Sequence, residues 1–265
     1  MSYHCIVLVR EVWDTRDLVG AVLDEGNALK ESALQTRFEP EDLNALEMAL
    51  QIKDTHGGKV TAVAIGEPRS VDVLRECLYR GVDEAVRIDE PAYRDLDTTA
   101  VAALFASAIK KIGAYDVVFS GVNVVEGENA LVGVQVANLL GIDHINYVDS
   151  LKEVKDGAIV CKRAVEMGYE MVEAKLPAGV IAGVALLKDD PRTPRSAKAM
   201  LKLKLKKAPI PTWTTADLGV GEVTSQRTTM RVRYEAVPQR IIESKKVDAE
   251  NETELKGMLG EVRGA

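Results

Sequence analysis

Short apolar runs alternate with segments of helical periodicity through the first two thirds of the 265-residue chain. Apolar runs of this length are typical of strands in a parallel sheet that is covered on both faces. Strands that alternate with helices in this way form βαβ units. The predicted strands cover residues 5–9, 59–65, 85–88 and 115–120, and the predicted helices cover residues 40–56, 71–80, 98–112 and 130–140. The pattern predicts an α/β fold built on a mostly parallel, doubly wound sheet.

The ends of the predicted helices carry local signals. Pro40 suits the first position of a helix, and Glu41 and Asp42 place negative charge in its first turn. Ser70 is the predicted N-cap of the next helix, which ends at Gly81. The boundaries of these helices therefore follow from the neighbouring residues alone.

The pattern changes after Gly141. Residues 158–165 and 169–174 flank a Glu-Met-Gly turn, which predicts an antiparallel hairpin. Residues 179–187 form one more apolar run, and we expect another strand there. The sequence thus predicts an added antiparallel hairpin beside the parallel sheet.

The remainder of the chain is rich in lysine and proline and lacks a regular apolar pattern. After Asp217 it is predicted to be an extended tail that ends in a short helix near residues 251–262. A tail of this kind is typical of a segment that wraps a partner. We expect an α/β nucleotide-binding domain at 1–187, a partner-recognition loop and basic segment at 188–212, and a C-terminal arm that wraps the partner subunit at 213–265.

Charge and hydropathy restrict the class of protein. The net charge of −7 argues against a general nucleic-acid binder, which usually carries a basic excess. No run approaches the roughly 18 consecutive apolar residues that a membrane span needs. The first ten residues lead directly into a strand-like run and lack the layout of a signal peptide. We expect a cytoplasmic protein with no membrane span and no nucleic-acid partner.

The cysteines and histidines do not predict a reactive centre. Cys5, Cys77 and Cys161 form neither a CxxC pair nor a cluster with histidine, so neither a disulfide framework nor a metal site is expected. The three histidines are equally far apart in sequence. Nothing in their spacing indicates a hydrolytic triad, and we predict no catalytic residue.

Three segments are candidates for a ligand site, because open α/β sheets bind ligands beyond the carboxyl ends of their strands. They are residues 8–12, 38–42 and 121–133. The third carries Gly121, Gly127 and Gly133 between a predicted strand and a predicted helix, a setting in which backbone N–H groups approach an anion. Its spacing matches neither GxGxxG nor GxxxxGK[ST]. An ordinary strand–helix turn is therefore an equally good interpretation of this loop.

A basic stretch at residues 188–207 is the second feature with a functional interpretation. It carries eight lysine and arginine residues against Asp189 and Asp190. Such a run is either a solvated face or a docking segment, whose charge raises the rate of association with an acidic partner surface. Nucleic acid is the weaker interpretation, since aromatic residues are not interleaved with the basic ones.

Several motifs, in order along the chain, resemble the β subunit of electron transfer flavoproteins. They are residues 10–15 (REVWDT), 40–54 (PEDLNALEMALQIKD), 121–133, Asp190-Pro191-Arg192 with Met200 and the following lysines, and 213–220 (WTTADLGV). The first is similar to the family's Lys-x-Val-x-Asp-Thr motif, and the second is similar to its helix that opens with Asn-Pro-x-Asp. The resemblance covers residues 4–220.

This resemblance implies an electron-carrier subunit rather than a stand-alone enzyme. Such subunits pair with an α subunit that holds the redox-active FAD, and they bury a second nucleotide, AMP in simple carriers and FAD in electron-bifurcating members. By position, the residues lining the second nucleotide are Leu8, Val9, Glu39, Pro40, Asp42, Ile65, Gly121, Val122, Asn123, Gly127, Glu128, Asn129, Ala130, Leu131, Val132 and Gly133. The loop that recognises acyl-CoA dehydrogenases or other flavoprotein partners corresponds to Asp190, Pro191, Arg192, Arg195, Ser196 and Met200.

The chain also departs from the family pattern. Gly127 is typical of bifurcating members, whereas Val122 and Asn123 replace a basic residue and a glutamine. The second nucleotide is therefore either FAD or AMP. Ser196 lies near the place where the family presents a leucine. Because a hydroxyl group cannot fill an apolar pocket as leucine does, the residue indicates a partner other than the usual dehydrogenase.

Two alternatives remain open. The same architecture, that of the adenine nucleotide α-hydrolases, serves ATP-binding sensors and adenylating proteins, in which the loop at Gly127 would hold phosphates. Against this, such a sensor has no reason for the Asp-Pro-Arg motif and the long extension after Lys188. The other alternative is a subunit without redox function that only scaffolds its partner.

Overall fold

A nine-stranded sheet is the main feature of the computed structural model, which describes residues 2–14, 22–25, 30, 34–122, 130–183, 196–220 and 251–263. The strands are β1 (Tyr3–Val9), β2 (Glu11–Trp13), β3 (Thr36–Phe38), β4 (Gly58–Gly66), β5 (Glu84–Asp89), β6 (Val117–Gly121), β7 (Asp143–Lys155), β8 (Ala158–Val165), β9 (Gly168–Lys175), β10 (Ala178–Ala182) and β11 (Thr212–Thr214). The helices are α1 (Pro40–His56), α2 (Val71–Arg80), α3 (Thr98–Ile112), α4 (Val132–Leu140), α5 (Ala199–Leu205) and α6 (Glu252–Arg263).

The strand order of the main sheet is β11-β5-β4-β1-β6-β10-β7-β8-β9. Neighbouring strands from β11 to β7 pair in parallel, and β7, β8 and β9 pair antiparallel. Strands β2 and β3 form a separate antiparallel ribbon. The α/β fold class, the mostly parallel sheet and the hairpin of β8 and β9 are confirmed.

Helices cover both faces of the sheet. Cys5, Val7 and Val9 of β1 belong to one buried cluster, which also contains apolar side chains of α1 and α2. Ile6 and Leu8 belong to a second cluster, together with apolar side chains of α3 and α4. Successive side chains of a strand point to opposite faces. Alternate side chains of β1 are therefore buried under α1 and α2 on one face and under α3 and α4 on the other. This arrangement is the doubly wound sheet that the sequence predicts.

The helix boundaries agree closely with the local signals. Helix α1 begins at Pro40 and ends at His56, and α2 ends at Arg80. One predicted detail is wrong: Ser70 occupies the N-cap position of α2, but its hydroxyl group caps no amide of the helix. That hydroxyl donates instead to the carbonyl oxygen of Glu67 at 2.8 Å, because Ser70 closes a short 3₁₀ turn that precedes α2.

Strand β7 was not predicted from the sequence. It runs for 13 residues, pairing first in parallel with β10 and then antiparallel with β8. Its register shifts against both partners, and Tyr147 has a positive φ of 55°. These irregularities break the alternation of apolar and polar residues by which a strand is recognised.

The predicted strand 179–187 corresponds to β10, which begins at Ala178 and ends at Ala182, and residues 184–187 lie outside the described ranges. Residues 212–214 form β11, which pairs with β5, and Leu218 and Val220 pack against the second buried cluster. The predicted boundary between residues 212 and 213 therefore falls within a strand of this chain's own sheet. Residues 221–250 of the predicted arm lie outside the described ranges, and its wrapping of a partner stays a prediction.

The chain divides into two units. The larger comprises Met1–Val22 and Lys30–Val232, and the smaller comprises Leu23–Leu29 and Arg233–Ala265. The described part of the smaller unit includes α6, and its bounds, Glu252–Arg263, agree within one residue with the helix predicted near residues 251–262. The side chain of Asn251 accepts hydrogen bonds from the amides of Thr253 and Glu254, which is the arrangement of an N-cap.

Candidate functional site

The strand order reverses at β1, and this reversal defines a crevice. The chain leaves β1 through α1 to β4 on one side, and α3 later leads to β6 on the other side. Ligands of open α/β sheets bind beyond the carboxyl ends of the strands at such a point. The crevice is bordered by Val9, at the end of β1, and by Gly121, at the end of β6.

An ion pair lies in this crevice. The guanidinium group of Arg10 contacts both carboxylate oxygens of Asp42, with Nε to Oδ2 at 3.0 Å and Nη2 to Oδ1 at 2.8 Å. The backbone amides of Arg10 and Gly121 also donate to this carboxylate, each at 2.9 Å. Asp42 is 0% exposed and the Arg10 side chain is 13% exposed. One buried carboxylate therefore joins the ends of β1 and β6.

The first turn of α1 places Asp42 at this position. Pro40 begins the helix, and the amide of Glu39 donates to the carbonyl oxygen of Arg10 at 3.1 Å, which fixes the helix start beside the end of β1. A carboxylate in the first turn is stabilised by the positive end of the helix dipole. Glu39 and Glu41 are buried beside Asp42.

The charges in the crevice favour a protonated Arg10. Burial alone would lower the pKa of Arg10, but the charge and the hydrogen bonds of Asp42, aided by Glu39 and Glu41, raise that pKa above its ordinary value. The guanidinium group is thus a permanent cation beside three carboxylates.

Two glycines allow close packing around the end of β6. A Cβ atom on Gly121 would lie 2.7 Å from Oδ1 of Asp42 and 2.8 Å from Cβ of Glu41. A Cβ atom on Gly133 would overlap the hydroxyl oxygen of Ser120. Helices α1 and α4 therefore approach β6 at positions where a larger residue does not fit.

The described residues that were predicted to line a nucleotide lie on both sides of this crevice. Leu8, Val9 and Ile65 are buried near the ends of β1 and β4, and Pro40 is half-buried. Val122 is buried, and its amide donates to the carbonyl oxygen of Ala182 at 2.9 Å. Near the start of α4, Ala130 and Gly133 are half-buried, Val132 is buried and Leu131 is 55% exposed. Asn123, Gly127, Glu128 and Asn129 lie outside the described residues.

The backbone amides at the end of β6 already have acceptors within the protein. The amides of Gly121 and Val122 already donate to Asp42 and to Ala182, so neither is available to an anion. A phosphate would therefore have to lie farther along the loop, toward the start of α4.

A cluster around Trp13 borders the same edge of the sheet and was missed by the sequence analysis. The guanidinium groups of Arg69 and Arg94 lie 4.5 and 4.7 Å from the centre of the Trp13 ring. The hydroxyl group of Tyr93 donates to the carbonyl oxygen of Glu11 at 3.1 Å. These residues come from β2 and from the connections after β4 and β5, so no local motif could have indicated the cluster.

A cavity of about 490 Å³ lies at the opposite edge of the sheet. Its lining includes Tyr3, His4, Lys59 and Asp116, which lie near the amino ends of the parallel strands. The edge of the sheet formed by the carboxyl ends of the parallel strands is the better candidate for the ligand site. Ligands of this fold class bind at that edge, at the point where the strand order reverses.

The predicted partner-recognition residues fall only partly within the described structure. Asp190, Pro191, Arg192 and Arg195 lie outside it, and Ser196 is exposed. Helix α5 is held against α2, since the amide of Lys198 donates to Tyr79 and the guanidinium group of Arg75 donates to Leu205 and Ala208. Met200 and Leu203 are 77% and 78% exposed on this helix. The helix thus presents apolar side chains among exposed lysines.

The fold and the crevice define the class of doubly wound α/β domains that bind ligands at the point where the strand order reverses. The sequence profile of the electron transfer flavoprotein domain matches residues 27–218. The chain belongs to the electron transfer flavoprotein β-subunit family.

Several proteins of known name are similar to this chain. The electron transfer flavoprotein subunit beta of Clostridium acetobutylicum is 37% identical over 175 residues, covering 66% of each chain. The caffeyl-CoA reductase-Etf complex subunit CarD of Acetobacterium woodii is 33% identical over 221 residues, covering 81% of this chain and 79% of CarD. Protein FixA of Azorhizobium caulinodans is 31% identical over 226 residues, covering 83% of this chain and 78% of FixA. The chain thus matches slightly less than two thirds of the length of the clostridial subunit.

Two further findings concern the described residues. No helix among them is both long enough and apolar enough to cross a membrane. Within the same ranges, no group of three or more histidine, cysteine, aspartate or glutamate side chains is arranged to hold a metal ion.

Proposed function

We propose that this chain is the β subunit of a heterodimeric electron transfer flavoprotein that works in the cytoplasm. It passes electrons between flavoprotein dehydrogenases and a downstream acceptor through an FAD that is held together with the α subunit. A second nucleotide, AMP or FAD, binds in the crevice between β1 and β6. The observation that carries this proposal is the crevice at the reversal of strand order, found in a chain whose family is defined by electron-transferring flavoproteins.

The chain's own residues bind and orient the nucleotides. Leu8, Val9 and Ile65 lie near the carboxyl ends of β1 and β4 and border the second nucleotide there. Glu39 and Pro40 border its nucleoside part, and the loop 121–133 holds its phosphates toward the start of α4. The electron-transfer chemistry belongs to the flavin when it is bound, and no side chain of this chain acts as acid, base or nucleophile.

The redox partner docks on the segment that contains residues 190–196 and α5. Met200 and Leu203 offer exposed apolar side chains, and the lysines around them offer positive charge. Apolar anchors supply affinity, and charge raises the rate of association with an acidic surface. A flavoprotein dehydrogenase with an acidic docking surface fits this segment.

Counting the bound nucleotides tests the proposal. The chain is produced together with its α subunit and purified as a complex, and the small molecules released by heat are identified and counted by mass spectrometry. Two FAD molecules per heterodimer would assign the second FAD to this chain. One FAD and one AMP would identify a simple carrier.

The same measurement separates the alternatives. A homodimer of this chain that releases ATP, and no stable complex with an α subunit, would favour an ATP-binding sensor or adenylating protein of the same fold. A stable heterodimer that contains a single FAD and no second nucleotide would favour a scaffold role for this chain.

A further inference from the structure

The ends of β1 and β6 are not joined by backbone hydrogen bonds of the sheet. The two strands pair in parallel at Cys5 with Val117, at Ile6 with Val118 and at Val7 with Phe119. Beyond that register, β6 continues to pair with β10, as far as the pair of Gly121 with Ala182. The pairing of β1 with β6 therefore ends before Val9 and Gly121, which border the crevice.

Asp42, in the first turn of α1, joins the two strand ends. Its Oδ2 accepts from the backbone amide of Arg10, just after β1, and its Oδ1 accepts from the backbone amide of Gly121, at the end of β6. The Arg10 guanidinium group contacts both oxygens and also approaches the carbonyl oxygen of Gly121, at 3.5 Å. Because both carboxylate oxygens are engaged and the side chain is 0% exposed, Asp42 has no accessible surface to offer to a ligand.

We propose that Arg10 and Asp42 form a latch, a pair of positioning residues that holds the end of β6 at Gly121 against the end of β1 and thereby shapes the crevice that binds the second nucleotide. This inference rests on the proposed function, and it changes the role of Asp42 from a nucleotide contact to a residue that acts through Gly121. Gly121 borders the crevice at the end of β6, so a shift of its backbone changes the wall against which the nucleotide binds.

The latch works as a unit because its charges are buried together. Loss of Arg10 leaves the buried Asp42 carboxylate without this ion pair, and loss of the Asp42 charge weakens the acceptor of the Arg10 and Gly121 amides, so either change is costly. Residues that act within one network show strongly non-additive effects when both are changed. Loss of Arg10 and loss of Asp42 should therefore have similar consequences for the nucleotide.

Helix α1 provides a matched control at its other end. Lys53 contacts Asp83 at 2.7 Å, and Oδ2 of Asp83 accepts from the backbone amide of Val60 at 2.9 Å. This second ion pair also joins α1 to the backbone of a strand. It lies toward the amino ends of the strands, away from the crevice.

The test uses the heterodimer with its natural α subunit. The variants are Arg10→Met, Asp42→Asn and the double variant, with Lys53→Met and Asp83→Asn as controls. The second nucleotide is counted in each purified complex, and its dissociation constant is measured by adding AMP or FAD, whichever the wild type contains, to the complex stripped of it. Thermal unfolding of the stripped complexes reports on stability separately.

The latch predicts that each single variant at Arg10 or Asp42 weakens nucleotide binding by roughly tenfold, and that the double variant is no weaker than the worse single variant. The two control variants should bind within about twofold of the wild type. Arg10→Lys, which keeps the charge but cannot form the two-point contact, should give an intermediate dissociation constant. If Asp42→Asn does not fold, Arg10→Met and Arg10→Lys still decide the outcome.

Other results would overturn the latch. If only Asp42→Asn weakens binding, the carboxylate contacts the nucleotide directly. If only Arg10→Met weakens binding, the guanidinium group contacts a phosphate directly. Unchanged binding in all variants would leave the nucleotide site in place and remove the latch. A wild-type complex without a second nucleotide would instead refute the proposed function, and the latch with it.

Discussion

At the scale of single residues, burial determines which thiols can react. Burial, aided by the charge of Asp116, raises the pKa of Cys5 to about 12, and burial raises the pKa of Cys161 to about 12. Burial also raises the pKa of Cys77 well above its ordinary value. All three cysteines are free and buried, so each stays a neutral, unreactive thiol near neutral pH.

We expect none of the three thiols to react with a thiol reagent at about pH 8 in the folded protein, and all three to react after unfolding in guanidinium chloride. Because the folded pKa values are raised, the cysteines favour folding below about pH 8.5, the pKa of an unfolded cysteine. That contribution is lost as the pH rises from there toward about 12. A reagent titration checks the first point, and unfolding curves on either side of pH 8.5 check the second. Rapid reaction of any thiol in the folded state would contradict the assigned burial.

The close approach at Gly121 gives a second test at this scale. Gly121→Ala would place a Cβ atom 2.7 Å from Oδ1 of Asp42, so the first turn of α1 must shift. We expect the free energy of unfolding to fall by about 2 kcal/mol. Gly183→Ala is a matched control, because its Cβ atom would meet nothing closer than 3.6 Å. Equal denaturation midpoints for the two variants would contradict the packing at the end of β6.

At the scale of elements, Ser70 and Asp97 occupy equivalent positions but have different roles. The Asp97 side chain accepts a hydrogen bond from the amide of Ala100 at 2.7 Å, and so caps α3. The Ser70 hydroxyl group does not cap α2. Serine and aspartate are both favoured at helix N-caps, so the residue types alone predict the same role for Ser70 and Asp97. Their backbone conformations distinguish them, because Ser70 is helical and Asp97 is extended.

We expect Asp97→Ala to lower the free energy of unfolding by about 1 kcal/mol, since it leaves a helix amide without its acceptor. Ser70→Ala should cost less than half as much, because the carbonyl oxygen of Glu67 keeps a second hydrogen bond from the amide of Ser70. Urea denaturation of both variants decides the point. A larger loss for Ser70→Ala than for Asp97→Ala would reverse the assignment of the caps.

The helices and the central strands could be predicted because their signals are local. Pro40 and the glycines after α1, α2 and α3 mark helix ends, and unbroken apolar runs mark strands that are buried on both faces. Strand β7 escaped prediction because its register shifts interrupt the alternating pattern. Strands β2, β3 and β11 have three residues each, too few to show any period.

The candidate site could be predicted only in outline. The rule for open sheets predicts that segments at the carboxyl ends of β1 and β6 form part of a ligand site. It does not predict that Asp42 joins these two segments. Asp42 is 32 residues from Arg10 and 79 residues from Gly121 in the chain. No spacing motif reports a contact of that kind, because it depends on the order of the strands in the sheet.

At the scale of the whole molecule, the segment after the main domain both completes the sheet and carries the predicted recognition loop. Strand β11 extends the sheet beyond β5, and the guanidinium group of Arg75 anchors the end of α5 through two carbonyl oxygens. The described elements that flank residues 184–195 are held in the domain, since β10 pairs with β6 and β7 and the amide of Lys198 donates to Tyr79 of α2. The predicted recognition loop lies between elements that belong to the domain, so we expect that its sequence can change without altering the sheet.

The charges of that loop give the last prediction. Arg192→Glu together with Arg195→Glu should slow electron transfer from the flavoprotein partner by about tenfold or more at low salt, because charge steers the encounter of the two proteins. The difference from the wild type should shrink as salt is added, since screening removes steering between exposed charges. Lys175→Glu, at the exposed end of β9, is the control for a change of surface charge alone. Stopped-flow measurements over a series of salt concentrations check this, and a rate unchanged at low salt would place the docking surface elsewhere on the molecule.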